Sequence, residues 1–495
     1  MSYLGKHSSI SEDVVILIDE YCEIKDPIYA NDFNQVMIYQ SLFETLVVLS
    51  LDGNTVKVGA ADKYKYDYKK KKLYFYFYGK SRWSNGKNVT AFDFERTFKK
   101  AIIPNNSCQC AEILYPIKNA FEIHTNKNKD INSLGVKALN ENTLEIELEE
   151  NISTFLISLT NPCFSPTYED DNKLLSNGPF YIDEVCEGKF IKVTKNPFYY
   201  NSEKKNINSI KFEVEKNFLN QIDKYNESKA HITSNTLFKY DYLEWARQFK
   251  DFKEDILSIG YYIFINYEKC PELKKDYVRL AIYNQIDKRS INDSLNNGLV
   301  YMDGFIPGIL DSFQNKAKSK DSKNNRSLFL KNINLSNLNI KYTDYYPNKT
   351  IVETIAKQLK DNLKLRITLQ KESFNNFKED ISNNNYELAL VLITANYNSP
   401  LCIYDNFIDH EVFNNRKSLS NDFENRIYEL LTNINLDYKE KIELYEDIND
   451  ILMNILPVIP LFHLKSYYFQ KPWINNFIIY PSGQFSFENF DITNM

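Results

Sequence analysis

Residues Leu73 to Ile102, LYFYFYGKSRWSNGKNVTAFDFERTFKKAI, constrain the fold more than any other part of this 495-residue chain. Leu73, Phe75 and Phe77 alternate with Tyr74, Tyr76 and Tyr78, a period of two that predicts a strand with both faces at least partly buried. Asn85 and Gly86 tolerate positive φ and predict a tight turn. Thr90 then reads as an N-cap, with Asp93 three residues on in the capping-box position. Phe94, Phe98, Ala101 and Ile102 follow at helical spacing. The block therefore joins a strand, a turn and a capped helix.

The bulk properties narrow the class. With 43% hydrophobic residues the chain can bury a large core, and at roughly 150 residues per domain it should form two to four domains. No apolar run approaches the ~18 residues of a membrane span. The longest candidates, Phe155 to Leu159 and Ile451 to Phe462, are too short or broken by proline. A net charge of −6 and a pI near 5.7, with both signs interspersed, argue against nucleic-acid binding. The basic runs Lys69 to Lys72 and Lys274-Lys275 read as solvated turns. Most of the 36 Tyr and 33 Phe must be core.

Catalytic and metal signatures are missing. Tyr78-Gly79-Lys80-Ser81 ends like a phosphate-binding loop, but Tyr74 stands where the first glycine would be needed. The five histidines, His7, His124, His231, His410 and His463, are scattered. No GxSxG elbow occurs. The seven cysteines, Cys22, Cys108, Cys110, Cys163, Cys186, Cys270 and Cys402, are odd in number, and Cys108-Gln109-Cys110 is too close for a conventional metal pair. No metal, cofactor or enzymatic activity is expected, and an unpaired thiol points toward a reducing compartment. The N-terminal residues MSYLGKHSSISEDVV carry neither a positive-then-apolar signal nor a lipidation cysteine. Two placements stay open: extracytoplasmic and membrane-associated, if a signal or lipidation segment is missing from this sequence, or cytoplasmic.

Further motifs follow in a fixed order: Asp26-Pro27, Tyr39-Gln40-Ser41-Leu42-Phe43-Glu44-Thr45-Leu46, Asp52-Gly53, and Gly135 to Ala138 with Thr143 to Ile146. After these come Asn177-Gly178-Pro179-Phe180-Tyr181, Lys195-Asn196-Pro197-Phe198-Tyr199-Tyr200, Tyr261 to Asn266, Val278-Arg279-Leu280-Ala281-Ile282 with Ile286-Asp287-Lys288, and Phe305-Ile306-Pro307-Gly308. Tyr438 to Ile455 reads as an amphipathic helix with Ile442, Tyr445, Ile448, Leu452 and Ile455 on one face, closed by Pro457 to Leu461. With the Leu73 to Ile102 block, this order resembles the family 5 extracellular solute-binding proteins, the peptide, nickel and oligosaccharide receptors of bacterial ABC importers.

The resemblance implies an α/β, periplasmic-binding-protein-like fold of the cluster C type: two large lobes with a two-strand hinge, plus an extra third lobe. Lobe I would hold residues 1–33, 152–257 and 462–495, lobe II residues 34–151, and lobe III residues 258–461. Ile259 to Ile265 and Pro457 to Phe462 would be the hinge crossings. The stretch Gln314 to Arg326 has no periodicity and reads as a surface loop.

By the same resemblance, the chain would close around a peptide or peptide-like small molecule and pass it to ABC permease subunits if exported. The alternatives are an intracellular metabolite-binding or sequestering protein of the same fold, or an enzyme built on it. Peptide-binding relatives place an aspartate after a buried strand to pair with the peptide's α-ammonium. Here that strand is Leu388 to Leu392, and the segment after it reads Ile393-Thr394-Ala395-Asn396-Tyr397-Asn398-Ser399-Pro400, with Asn396 where the carboxylate would be. Ile393, Thr394, Asn396, Tyr397 and Asn398 are therefore ligand-binding candidates. Tyr29, Asn31 and Phe33, beyond Asp26-Pro27, and Tyr261 and Tyr262, at the first crossing, are candidates by position. Asn177 is expected to cap a turn rather than touch ligand.

Overall fold

The computed structural model describes residues 13–30, 32–53, 55–104, 108, 110–170, 173–305, 337–395, 397, 400–405, 421–433 and 436–493. The Gln314 to Arg326 stretch lies outside the described residues. The chain forms two compact units. The first contains Met1–Phe238, Phe249–Asp255 and Ser466–Met495, and the second Lys239–Gln248 and Ile256–Lys465. Strands Phe252–Ile265 and Val458–Phe469 each begin in one unit and end in the other.

The first unit holds two four-stranded sheets. In one, Asp13–Ile18 runs parallel to Ser209–Val214, which continues antiparallel through Phe190–Lys195 to Phe180–Cys186. The other is antiparallel throughout, in the order Lys63–Asp67, Lys72–Tyr76, Thr143–Glu147, Val136–Asn140. It contains the alternating strand predicted from the sequence. Leu73 and Phe75 are fully buried, and Phe77 stacks on Phe94 of the Ala91–Ala101 helix at 5.5 Å between ring centroids. The opposite face is half-buried at Tyr74 and Tyr76 and open at Tyr78, which is 68% exposed.

The turn and cap form as the sequence predicts. Gly86 takes φ +86°, and its N–H donates to the Trp83 carbonyl at 2.8 Å. The Asp93 carboxylate accepts from the Thr90 backbone N–H at 2.9 Å and from its hydroxyl at 3.0 Å. An acid in the first turn also complements the helix dipole.

The second unit is built on a six-stranded mixed sheet. Its order is Val300–Tyr301, Val458–Phe469, Phe252–Ile265, Leu388–Thr394, Asn337–Thr343, Arg366–Glu372. Helix Asn348–Leu363 packs on the last two strands. Helix Tyr438–Ile455 buries Ile448 and Leu452 and turns Glu443, Glu446 and Asp447 to solvent. A reciprocal capping box of Asp437 and Glu440 starts it, with bonds of 2.8 and 2.9 Å.

That helix ends at Leu456, which adopts φ +46°. The last carbonyls are satisfied by Arg279, a fully buried residue. Its Nε donates to Ile455 O at 2.9 Å and Leu456 O at 3.0 Å, and Nη1 to Leu273 O at 2.6 Å. A cation at this end favours the helix dipole, and the planar fork reaches carbonyls of two segments at once.

Candidate functional site

The second unit gathers several candidates at the end of one central strand. Leu388–Thr394 runs antiparallel to Phe252–Ile265, with Ile393 opposite Gly260 and Thr394 opposite Ile259. The Ala395 N–H donates to Ser258 O at 3.1 Å, extending the ladder by one step. Ile393 and Tyr397 are buried, while Thr394 is exposed. Asn396 and Asn398 lie outside the described residues. Gly260 is crowded: a Cβ there would stand 2.9 Å from the Tyr262 ring and 2.0 Å from the Met302 methyl, so these side chains would have to shift.

Tyr261 and Tyr262 pair with Leu392 and Val391 on the same ladder. Both are buried to 2% exposure or less, because every residue from Leu257 to Ile265 is covered. Burial alone pushes both phenols well above their usual range. Tyr262 stacks on Phe305 at 6.1 Å between centroids, and its hydroxyl has no hydrogen-bond partner among the described residues.

The remaining candidates belong to the first unit. Tyr29 is half-buried in the short turn Pro27–Tyr29, which Asp26 caps by accepting from Ile28 N–H at 3.0 Å. Phe33 opens the helix Phe33–Leu42, capped by Asp32 through a 2.9 Å bond from Gln35 N–H. Its ring edge lies against Gly483, where an added Cβ would meet it at 2.8 Å. Asn31 lies outside the described residues. The structure therefore brings Ile393, Thr394, Tyr261 and Tyr262 together on two paired strands of one unit, with Tyr397 in the bend beyond Thr394, while Tyr29 and Phe33 are in the other.

A polar cluster that the sequence did not single out as a site lies deeper in the first unit. Glu44, 5% exposed, accepts hydrogen bonds from the hydroxyls of Tyr199 at 3.0 Å and Tyr200 at 2.9 Å. Burial pushes its carboxyl up to about 7, against the opposing pull of the Lys80 ammonium and the tyrosine hydroxyls. Lys80 Nζ stands 4.1 Å from the Tyr200 ring centroid and donates to Gly59 O at 2.8 Å.

The second Glu44 carboxylate oxygen and the Gln484 amide nitrogen have no partner among the described residues. Both residues line a cavity of about 50 Å³, with Gln40, Thr160, Tyr199 and Glu488. A space of this size and polarity can hold ordered water donating to the one and accepting from the other. Among the described residues no group of three His, Cys, Asp or Glu is placed to hold a metal ion.

Asn177 anchors this cluster. Its carbonyl accepts from Glu44 N–H and its amide donates to Glu44 O, so instead of capping a local turn, as its place before Gly178-Pro179 led one to expect, it fixes a junction with backbone 133 residues away. Gly178 N–H donates to Leu42 O at 2.8 Å. The motifs around Glu44, Asn177 and Tyr199 thus converge on one point, although no local pattern in the sequence signals that convergence.

The fold is that of the bacterial binding proteins for oligopeptides and murein peptides. A structure of Haemophilus influenzae OppA in complex with the peptide RPPGFSPFR superposes with a TM-score of 0.81 at 19% identity, covering 98% of this chain and 99% of that one. The Escherichia coli murein tripeptide-binding protein MppA gives 0.80 at 20%, covering 98% and 99%. Residues 55–415 match the family model for bacterial extracellular solute-binding proteins, family 5, and the chain belongs to that family. The oligopeptide-binding protein OppA of Bacillus subtilis is 24% identical over 497 residues, which span 94% of this chain and 89% of that protein.

Proposed function

We propose that this chain is a solute-binding receptor that closes around a peptide or peptide-like ligand and delivers it to an ABC importer. The observation that carries this reading is the family match over residues 55–415. Likeness to oligopeptide-binding proteins along nearly the whole chain supports it. The strands Phe252–Ile265 and Val458–Phe469 carry the chain between the units. Closure would bend the chain in these two segments. If the chain is exported, ABC permease subunits would be its partners, in keeping with the extracellular role of the family.

The ligand we propose lacks a free α-amine, as in an acylated or otherwise modified peptide. The reason is Asn396, which stands where the resemblance places an ammonium-binding aspartate. An ammonium buried without its carboxylate loses about 2–5 kcal/mol, whereas an amide both donates to and accepts from a neutral group.

Native mass spectrometry of the purified chain should reveal any retained small molecule, and calorimetry should rank matched N-acetylated and free-amine peptides. The acetylated member should bind at least about tenfold tighter, and Asn396→Asp should invert the order. Tighter binding of free-amine peptides by the unmodified chain would exclude the N-blocked ligand but leave the receptor reading standing. Binding of neither peptide, with no retained molecule, would count against the receptor reading itself.

A further inference from the structure

Three of the seven free cysteines, separated in sequence, meet inside the first unit. Cys110 and Cys163 stand 2.8 Å apart, sulfur to sulfur, and the Cys163 thiol also interacts with that of Cys108. Their exposures are 7% for Cys108, 8% for Cys110 and 1% for Cys163. One side chain organises two of them: Asn161 Oδ1 accepts from Cys163 N–H at 3.0 Å and from the Cys110 thiol at 3.6 Å. Cys163 lies in the short turn Pro162–Phe164, and its thiol is 3.8 Å from Ala30 O.

We propose that Cys110, Cys163 and Cys108 form a reversible thiol–disulfide site, with Cys110–Cys163 as the resting disulfide and Cys108 as the thiol that exchanges into it. The Cys110–Cys163 separation lies within an ångström of a covalent S–S bond of about 2.0 Å, so the bond needs only small side-chain rotations. Sulfurs this close leave no room for an ion between them, and no metal-holding group exists among the described residues. The hydrogen bond between them holds the Cys108 thiol below its usual range and pushes that of Cys163 up, so Cys108 ionises before Cys163.

The oxidant is a small-molecule disulfide. The Cys108 thiolate attacks one of its sulfurs, forming a mixed disulfide and releasing one thiol. Cys163, losing its proton, attacks the Cys108 sulfur, forms Cys108–Cys163 and releases the second thiol. Cys110 then attacks Cys163, forms Cys110–Cys163 and returns Cys108 as a free thiol. The chain loses two electrons and two protons, which leave on the two small thiols.

The full chain, equilibrated with oxidised glutathione, should lose about 2 Da in intact mass, and after alkylation in denaturant it should carry two alkyl groups fewer than the reduced chain. Peptide mapping should show a Cys110–Cys163 linkage with Cys108 alkylated. The bond spans 53 residues, so the oxidised chain should melt roughly 5 °C or more above the reduced one, reversibly with dithiothreitol. Cys110→Ser should redirect the linkage to Cys108–Cys163, and Cys163→Ser should leave neither linkage. Alkylation of all three residues in the oxidised wild-type chain would overturn the proposal, as would a dominant Cys108–Cys110 linkage. The wild-type map decides even if a variant fails to fold.

Discussion

Asn177 brackets the backbone of Glu44 across 133 residues of sequence: its side-chain carbonyl accepts from the Glu44 N–H at 3.0 Å and its amide donates to the Glu44 carbonyl at 2.9 Å. Both groups are buried, so neither bond has water as a substitute. Asn177→Ala should cost about 2–4 kcal/mol, one desolvated backbone group on each side of the gap. Calorimetry should register this as a lower unfolding midpoint, with Asn177→Asp recovering at most one bond.

Gly178, the next residue, is held by a different constraint. A Cβ there would lie 2.7 Å from Leu42 C and Phe43 N and 2.8 Å from Leu42 O. These are backbone atoms at a helix end and have no rotamer to move into. Gly178→Ala should cost about 3 kcal/mol or more, measurable in urea as a lower midpoint with an unchanged slope.

Glu44 makes stability depend on pH in the direction opposite to an ordinary ion-paired acid. Its folded-state carboxyl is raised from 4.5 to about 7, so the native state binds this proton more tightly than the unfolded chain does. The contribution is fully present below pH 4.5 and is lost as pH rises through 7, a span of about 3 kcal/mol. Glu44→Gln keeps the two tyrosine hydrogen bonds and removes the titration. Its unfolding midpoint should exceed that of the wild type at pH 8 and match it near pH 4, as thermal melts at the two pH values would show.

Arg279 offers a test of the second unit. Its guanidinium serves carbonyls of Ile455, Leu456 and Leu273 from a fully buried position. Lysine keeps the charge but not the planar fork. Arg279→Lys should therefore destabilise the second unit by about 3 kcal/mol, and Arg279→Ala by at least as much, since three carbonyls lose their donor. Hydrogen exchange at the C-terminal turn of helix Tyr438–Ile455 should rise first.

Local pattern made much of the fold legible. Helix Tyr438–Ile455 has in the structure the ends its periodicity predicts, because Glu440 caps it three residues beyond Asp437. The strand predicted from Leu73 to Tyr78 runs instead from Lys72 to Tyr76. Its last two N–H groups turn to partners distant in sequence: Phe77 donates to Asn142 O and Tyr78 to the Asp62 carboxylate.

The Glu44 cluster was beyond local reading for the same reason. Tyr200 reaches Glu44 across 156 residues, and the side chains that meet there look ordinary where they stand in the sequence. The three converging thiols were equally hidden, since Cys163 is 53 residues from Cys110. For the proposed ligand-binding residues the sequence still says most, because Asn396, where the resemblance places an aspartate, lies outside the described residues.

The division of the chain sets an order of assembly on the ribosome. Lys205, buried in the first unit, donates to the carbonyls of Phe487 at 2.8 Å and Phe490 at 3.0 Å, and Gln484 to Glu488 close the wall beside Glu44. The unit that emerges first therefore lacks its final wall until residues Ser466–Met495 are synthesised. Every segment of the second unit precedes those residues in the chain and is synthesised before them. The polypeptide that is begun first is completed last, and a truncation of the final thirty or so residues would strike the opposite end of the sequence rather than the nearest one.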